Sequence, residues 1–294
     1  MNILVTGAKG QLGSELYQAS LGTERDTYFF TDVEDLDITD ASAIRAMVKD
    51  KHIELIINCA AYTQVDKAEG EGADLCERIN HYAVRHLAEA MKEVEGWLVH
   101  ISTDYVFGLE PYNTPCREDQ QGTPTGVYGA SKLRGEQAIL VSGVKHLIFR
   151  TAWLYSPYGQ NFLKTMLALT ASREEVRVVF DQTGTPTYAA DLAHAIYHIV
   201  EVRQHENHAG IYHYSNEGTC SWYDFAHAIA QLAGHDRCSV LPCYSSDYPS
   251  PVKRPAYSVF DKSKFKETFG LPVPHWRDAL VACLKAMDIV APTV

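Results

Sequence analysis

NILVTGAKGQLGSEL, residues 2–16, decides the fold of this chain. Ile3, Leu4 and Val5 form a short β-prone run, and Leu12 and Leu16 then sit four apart, as on one face of a helix. Gly7, Gly10 and Gly13 lie between and within these patterns at intervals of three. A glycine turn there lets a ligand approach the backbone without Cβ collisions. The amino end of the helix offers unpaired N–H groups and a positive dipole to a phosphate. The triplet therefore suggests a seat for a dinucleotide pyrophosphate. Its spacing is not G-x-G-x-x-G, and alone it would also serve an ordinary strand-to-helix turn.

Outward from this stretch, strand-like and helical runs alternate. Residues 28–32 read as a strand, 40–51 as a helix begun by Asp40, and 54–60 as a second apolar run. A long helical pattern over 74–94 follows, then strand 97–103, helix 128–140 and strand 145–155. Such βαβα alternation predicts an α/β fold, a Rossmann-type doubly wound parallel sheet with helices on both faces. Ligands of such sheets bind beyond the carboxyl ends of the strands. After residue 155 the pattern loosens into helices 161–172, 191–202, 221–234 and 275–289, strand-like runs 176–181 and 210–216, and a proline-broken loop over 245–261. The expected division is a dinucleotide-binding domain over 1–155, to which 186–216 returns, and a smaller C-terminal substrate-binding lobe over 156–294.

The 294 residues carry 26 Lys plus Arg against 37 Asp plus Glu, a net charge of −11. That balance argues against a nucleic-acid partner. No apolar run is long enough to span a bilayer, and the chain enters its first strand without a leader pattern, so no membrane partner is expected. The seven cysteines are scattered and lack C-x-x-C, which fits reduced thiols in a cytoplasm. His194 and His198, with Asp191 a turn earlier, have metal-ligand spacing, but no second ligand pair accompanies them and a polar helix face is the simpler reading.

Chemistry enters at Tyr128-Gly-Ala-Ser-Lys132. Positions four apart share a helix face, so phenol and ammonium point the same way. A phenol titrates near ~10 unperturbed. A neighbouring cation favours the phenolate, and the expectation is that Lys132 acidifies Tyr128 for proton exchange with a carbinol or carbonyl oxygen. Thr103, at the end of a predicted strand, can hydrogen-bond the same oxygen or merely cap a turn. Asn80 is polar among the apolar positions of the long helix, suited to holding a water or carbonyl behind Lys132. Asp32, nineteen residues after Gly13, is placed to accept from the adenine ribose and to repel a 2′-phosphate, favouring NAD. Asp37 and Ile38 are candidates to meet the adenine.

Together the glycine triplet, Thr103, Tyr128, Lys132 and Asn80 resemble the extended short-chain dehydrogenase/reductase family. The segments at 58–69, 100–107, 147–155, 160–166, 181–187 and 251–261 resemble, within it, the dTDP-4-dehydrorhamnose reductases nearly end to end. That resemblance implies an enzyme of the last step of dTDP-L-rhamnose synthesis, reducing the C4 ketone of dTDP-4-dehydro-β-L-rhamnose with NADPH or NADH. It implies that Tyr128 protonates the C4 oxygen, that Lys132 also binds the nicotinamide ribose, and that Thr103 tunes the tyrosine. Gly10, Gln11 and Leu12 would meet the pyrophosphate; Ala61, Tyr62 and Thr63 would line the cofactor cleft. Asp104 and Trp153 would face the sugar, and Arg254 would be a partner of the nucleotide diphosphate. Cys59 stands where the motif usually has alanine. Some members hold Mg2+ between acidic side chains at a subunit contact; Glu15 is the one acid assignable to it here, so the sequence assigns no metal ligands and leaves monomer or homodimer open. Two alternatives share these segments. Nucleotide-sugar epimerases and dehydratases use the same Tyr-Lys pair, and dehydratases place acids beside the threonine, of which only Asp104 is present. A regulatory subunit like that of methionine adenosyltransferase could lose the catalytic positions, all three of which are retained here.

Overall fold

Neighbouring residues along the central strands enter opposite cores, and this alternation builds the sheet. The computed structural model describes residues 1–23, 25–109 and 113–289. In chain order the first unit contains β1 (Asn2–Thr6), α1 (Gln11–Ser20), β2 (Thr27–Thr31), α2 (Ala41–Asp50), β3 (Leu55–Asn58), α3 (Val65–Ala68), α4 (Ala73–Glu77), α5 (Ala83–Glu93), β4 (Trp97–Thr103), α6 (Val127–Ser142) and β5 (Lys145–Thr151). There follow β6 (Leu154–Tyr155), α7 (Phe162–Ser172), β7 (Glu175–Val179), β8 (Thr183–Gly184), β9 (Thr187–Tyr188), α8 (Ala189–Glu201) and β10 (Gly210–His213). The chain closes with β11 (Cys220–Ser221), α9 (Trp222–Leu232), β12 (Ser239–Cys243), α10 (Ser263–Phe269) and α11 (Trp276–Ala286).

Six parallel strands lie in the order β10-β5-β4-β3-β1-β2. Because β2 and β3 flank β1 on opposite sides, the winding reverses at β1 and opens a crevice beyond its carboxyl end. Ile3, Val5, Leu55, Ile57, Val99, Leu147 and Phe149 face one core, covered by α1, α8 and α10 through Leu12, Leu16, Ile196, Ile199 and Phe265. Leu4, Ile56, Leu98 and Ile148 face the other, covered by Ile44, Val48, Val84, Leu87, Met91 and Ile139. This is the Rossmann-type doubly wound sheet expected from the sequence. A separate core joins α7, α9 and α11 to β7 and β12 through Leu163, Met166, Val176, Val178, Phe225, Ile229, Leu280 and Leu284.

Local chemistry sets several boundaries. The Asp40 carboxylate accepts from Ser42 and Ala43 N–H groups and starts α2. Ser221 and Asp224 form a capping box at α9. Elsewhere the structure departs from the sequence pattern. The single helix expected over 74–94 is divided by a π-turn at Arg78–Tyr82, whose extra residue accommodates an inward Asn80. The strand expected over 145–155 breaks after Thr151, because Trp153 adopts a left-handed φ of 50° before β6 resumes. β12 pairs with β7 although most of its side chains are exposed, so it carried no burial pattern to read.

Candidate active site

At the carboxyl edge of the sheet, β1 turns through Gly7 into α1. Gly7 has φ 67°, and a Cβ there would stand 2.6 Å from Ala60 N, on the loop after β3. A Cβ on Gly13 would stand 2.3 Å from the Gly7 carbonyl oxygen. The turn therefore packs backbone on backbone, and Gly7 lies directly beside the loop carrying Ala61, Tyr62 and Thr63. Gly10 is the N-cap of α1, with no side chain capping it, which leaves that helix end open to an anion. The Leu12 side chain is in the core, so only its backbone faces this opening. Gln11 turns its amide toward Leu154, Ser156 and Asn161.

Asp32 follows β2. Its carboxylate accepts from Lys9 N at 2.8 Å and Val33 N at 2.9 Å. The Lys9 ammonium is paired with exposed Glu34 at 2.9 Å. Asp37 accepts from Thr39 N, while Ile38 is buried in the core with Leu4 and Ile44, leaving it little surface for a ligand.

Tyr128 and Lys132 lie a turn apart on α6, and Thr103 ends β4 beside them. The Thr103 hydroxyl acts on the Tyr128 phenol and favours its ionised form. Thr103 Oγ1 donates onward to Asp104 Oδ1 at 3.1 Å and accepts from Tyr105 N at 3.2 Å. Burial pushes the Tyr128 phenol well above its ordinary range, against the opposing pull of Thr103. The acidification by Lys132 expected from the sequence is therefore not found; desolvation dominates the phenol in this structure. Lys132 is 2% exposed and donates from Nζ to the Ile101 carbonyl. Burial lowers it to about 8, with Glu136 pulling the other way. Glu136 is itself held by Ser102 Oγ and by a buried ion pair to Arg150 at 2.7 Å. Asn80 grips the Tyr62 backbone from both sides, accepting from its N–H at 2.9 Å and donating to its carbonyl at 3.0 Å. Tyr62 then packs with Tyr128, Ala68 and Cys76. Asn80 therefore supports the cofactor-side loop through the backbone carbonyl and N–H of Tyr62.

Asp104 is 2% exposed, and burial raises its carboxyl to about 6 despite hydrogen bonds from Ser258 and Thr103. Trp153, reached through its left-handed turn, stacks on Trp222 with ring centroids 3.6 Å apart and planes at 9°. Arg254 donates to both oxygens of Asp66, at 2.9 and 3.0 Å, and to the Tyr105 hydroxyl at 3.3 Å. The Tyr105 ring meets Tyr128 edge-on at 5.5 Å. Trp222 and Tyr105 escaped the sequence analysis: each joins the site through a contact distant in the chain or hidden in a helix. The structure therefore gathers Thr103, Asp104, Tyr128 and Lys132 into one cluster and links Arg254 to it through Tyr105. Among the described residues no group of three His, Cys, Asp or Glu is placed to hold a metal ion, and no helix is long and apolar enough to cross a membrane.

The family described as RmlD substrate binding domain matches residues 1–289. A dTDP-4-dehydrorhamnose reductase of Burkholderia thailandensis is 39% identical, over 97% of this chain and 98% of its own. A crystal structure of a dTDP-4-dehydrorhamnose reductase from Clostridium acetobutylicum superposes with a TM-score of 0.92 at 40% identity, covering 98% of this chain and 100% of that one. One from Bacillus anthracis, in complex with NADP, gives 0.88 at 39% identity over 97% and 99%. The matched span and these relatives show that the chain belongs to the RmlD substrate binding domain family, alongside dTDP-4-dehydrorhamnose reductases.

Proposed function

We propose that this enzyme uses NADH or NADPH to reduce the C4 ketone of dTDP-4-dehydro-β-L-rhamnose to dTDP-L-rhamnose, with Tyr128 as the proton donor. The observation that carries this reading is the buried cluster of Tyr128, Thr103 and Asp104 at the sheet's carboxyl edge, in which Thr103 donates to Asp104. The glycine cradle, which a Cβ at Gly7 or Gly13 would fill, and the uncapped end of α1 fit a dinucleotide. When bound, the reduced nicotinamide supplies a hydride to C4. The chain's own residues manage the proton. A phenol pushed up by burial keeps its proton at neutral pH, which is the state a donor to the C4 oxygen requires. Thr103 holds that phenol in place and is itself fixed by Asp104 and the Tyr105 backbone. Lys132, one helical turn from Tyr128, supplies the cation that stabilises the phenolate left after transfer.

Trp153, braced by Trp222, offers an apolar face to the deoxysugar. Arg254 exchanges Asp66 for the diphosphate when substrate arrives. The unit built on α7, α9 and α11, within 156–294, holds the sugar, while 1–155 with 186–216 holds the cofactor. The loop after β2 carries Asp32, Glu34 and Asp35, and the nearby Lys9 is already paired with Glu34. A 2′-phosphate meets net negative charge there, so NADH is the preferred form. The seven free thiols fit the reducing cytoplasm. An assay coupling dTDP-glucose, an upstream dehydratase and epimerase, and this protein tests the reading, with NADH and NADPH compared. It requires net cofactor oxidation with dTDP-L-rhamnose as product. Bound NAD cycling without net consumption would instead mark an epimerase or dehydratase.

A further inference from the structure

Gln11 opens α1, yet its side chain leaves the cofactor cradle for the second unit. Its Oε1 accepts from Asn161 Nδ2 at 2.9 Å and from Ser156 Oγ at 3.4 Å. Its Nε2 donates to the Leu154 carbonyl at 3.4 Å. Both ends of one amide are thus held by a segment 143 to 150 residues further along the chain. Asn161 is equally committed. Its Oδ1 accepts from Lys164 N at 3.0 Å and caps α7, and its Nδ2 also donates to the Ser156 carbonyl at 2.8 Å.

Two short routes lead from this node to Trp153. Leu154, whose carbonyl takes the Gln11 donor, is the next residue after Trp153. Phe162, the next residue after Asn161, has its ring 4.6 Å from Trp222, which stacks on Trp153. Each link is a hydrogen bond, a covalent neighbour or a ring contact, so a shift of the amino end of α1 reaches the tryptophan pair through packed groups.

We propose that Gln11 and Asn161 are positioning residues that couple the pyrophosphate seat to the sugar platform. A dinucleotide that fixes the backbone at Gly10–Leu12 fixes the Gln11 amide and, through it, residues 154–161 and the tryptophan stack. The inference rests on the reductase reading for the identity of the two ligands. Its consequence is cooperative binding, in which cofactor and nucleotide sugar raise one another's affinity by the same factor. Hydrogen bonds of ordinary strength at the node support a coupling of roughly five- to tenfold.

Calorimetry on the full chain tests this, measuring dTDP-L-rhamnose affinity with and without saturating NAD+. Two variants accompany the wild type. Gln11→Met keeps the volume without donor or acceptor; Asn161→Asp keeps the cap on α7 and removes the donor to Gln11. The wild type is expected to show a five- to tenfold ratio, each variant a ratio near one, and the double variant no further loss. A merely structural role lowers thermal stability and both affinities while leaving the ratio intact, and that result would overturn the proposal. So would a wild-type ratio of one in a chain that binds both ligands. Failure to bind NAD+ or the nucleotide sugar at all would overturn the reductase reading, and this inference with it.

Discussion

Removing one oxygen, by Tyr128→Phe, separates catalysis from folding. The ring stays in its cluster with Tyr62, Ala68 and Cys76 and keeps its edge contact with Tyr105. Thr103 loses the phenol but retains Asp104 at 3.1 Å and the Tyr105 N–H at 3.2 Å, so its hydroxyl is not orphaned. The folding cost is therefore at most that of one hydrogen bond, about 1 kcal/mol, partly offset because a buried hydroxyl no longer needs a partner. The catalytic cost is larger. A positioned proton donor contributes roughly 10²–10⁴ in rate. At 1.36 kcal/mol per tenfold this is about 3–5 kcal/mol of barrier. Steady-state NADH consumption on the 4-keto sugar should show kcat down by about a hundred- to ten-thousandfold. Calorimetric melting and NADH titration on the same sample should stay close to wild type. A kcat within about tenfold of wild type would refute the assignment of Tyr128 as the acid.

Lys132, lowered to about 8 in the free protein, is expected to give kcat/KM an alkaline limb near that pH, since its charge is lost as pH rises; Lys132→Met should abolish the limb along with most of the rate. Gly13→Ala drives a Cβ to 2.3 Å from the Gly7 oxygen, and should cost about 3 kcal/mol of stability and most NADH affinity, read by melting and fluorescence titration. Glu34→Lys should free Lys9 and shift the kcat/KM ratio of NADPH to NADH upward by at least about tenfold, the scale of one charge-assisted contact. Glu15 is buried, with Oε1 unpartnered, and burial plus nearby Asp191 raises it from 4.5 to about 7. The folded state then holds a proton that the unfolded state has lost between pH 4.5 and 7. Stability from this group falls as pH rises through that window and is constant outside it, by about 3 kcal/mol in all. Glu15→Gln should therefore match wild type at low pH and exceed it above pH 7 in denaturant titrations.

The parts legible in the sequence are those fixed by local spacing. Ile3, Leu4 and Val5 read as a strand because a parallel sheet buries both faces and keeps its strands apolar throughout. Tyr128 and Lys132 were readable because four residues make a helical turn. What escaped depends on contacts remote in sequence. The Trp153–Trp222 stack requires a left-handed residue at an aromatic, which no propensity favours. Arg254 meets Asp66 188 residues away, and Gln11 meets Asn161 150 residues away. The acidity of Tyr128 follows the same rule: a cation four residues away is a local feature, but the burial that raises the phenol is set by the whole fold.

The central claim is that this chain moves a hydride to the sugar's C4 while Tyr128 supplies the proton. Turnover of dTDP-4-dehydro-β-L-rhamnose with NADH deuterated at the transferable position tests it most directly, with the product read by nuclear magnetic resonance. The account requires one deuterium at C4 of dTDP-L-rhamnose for each NADH oxidised. A product without deuterium at C4, or sugar converted with no NADH oxidised, would contradict it.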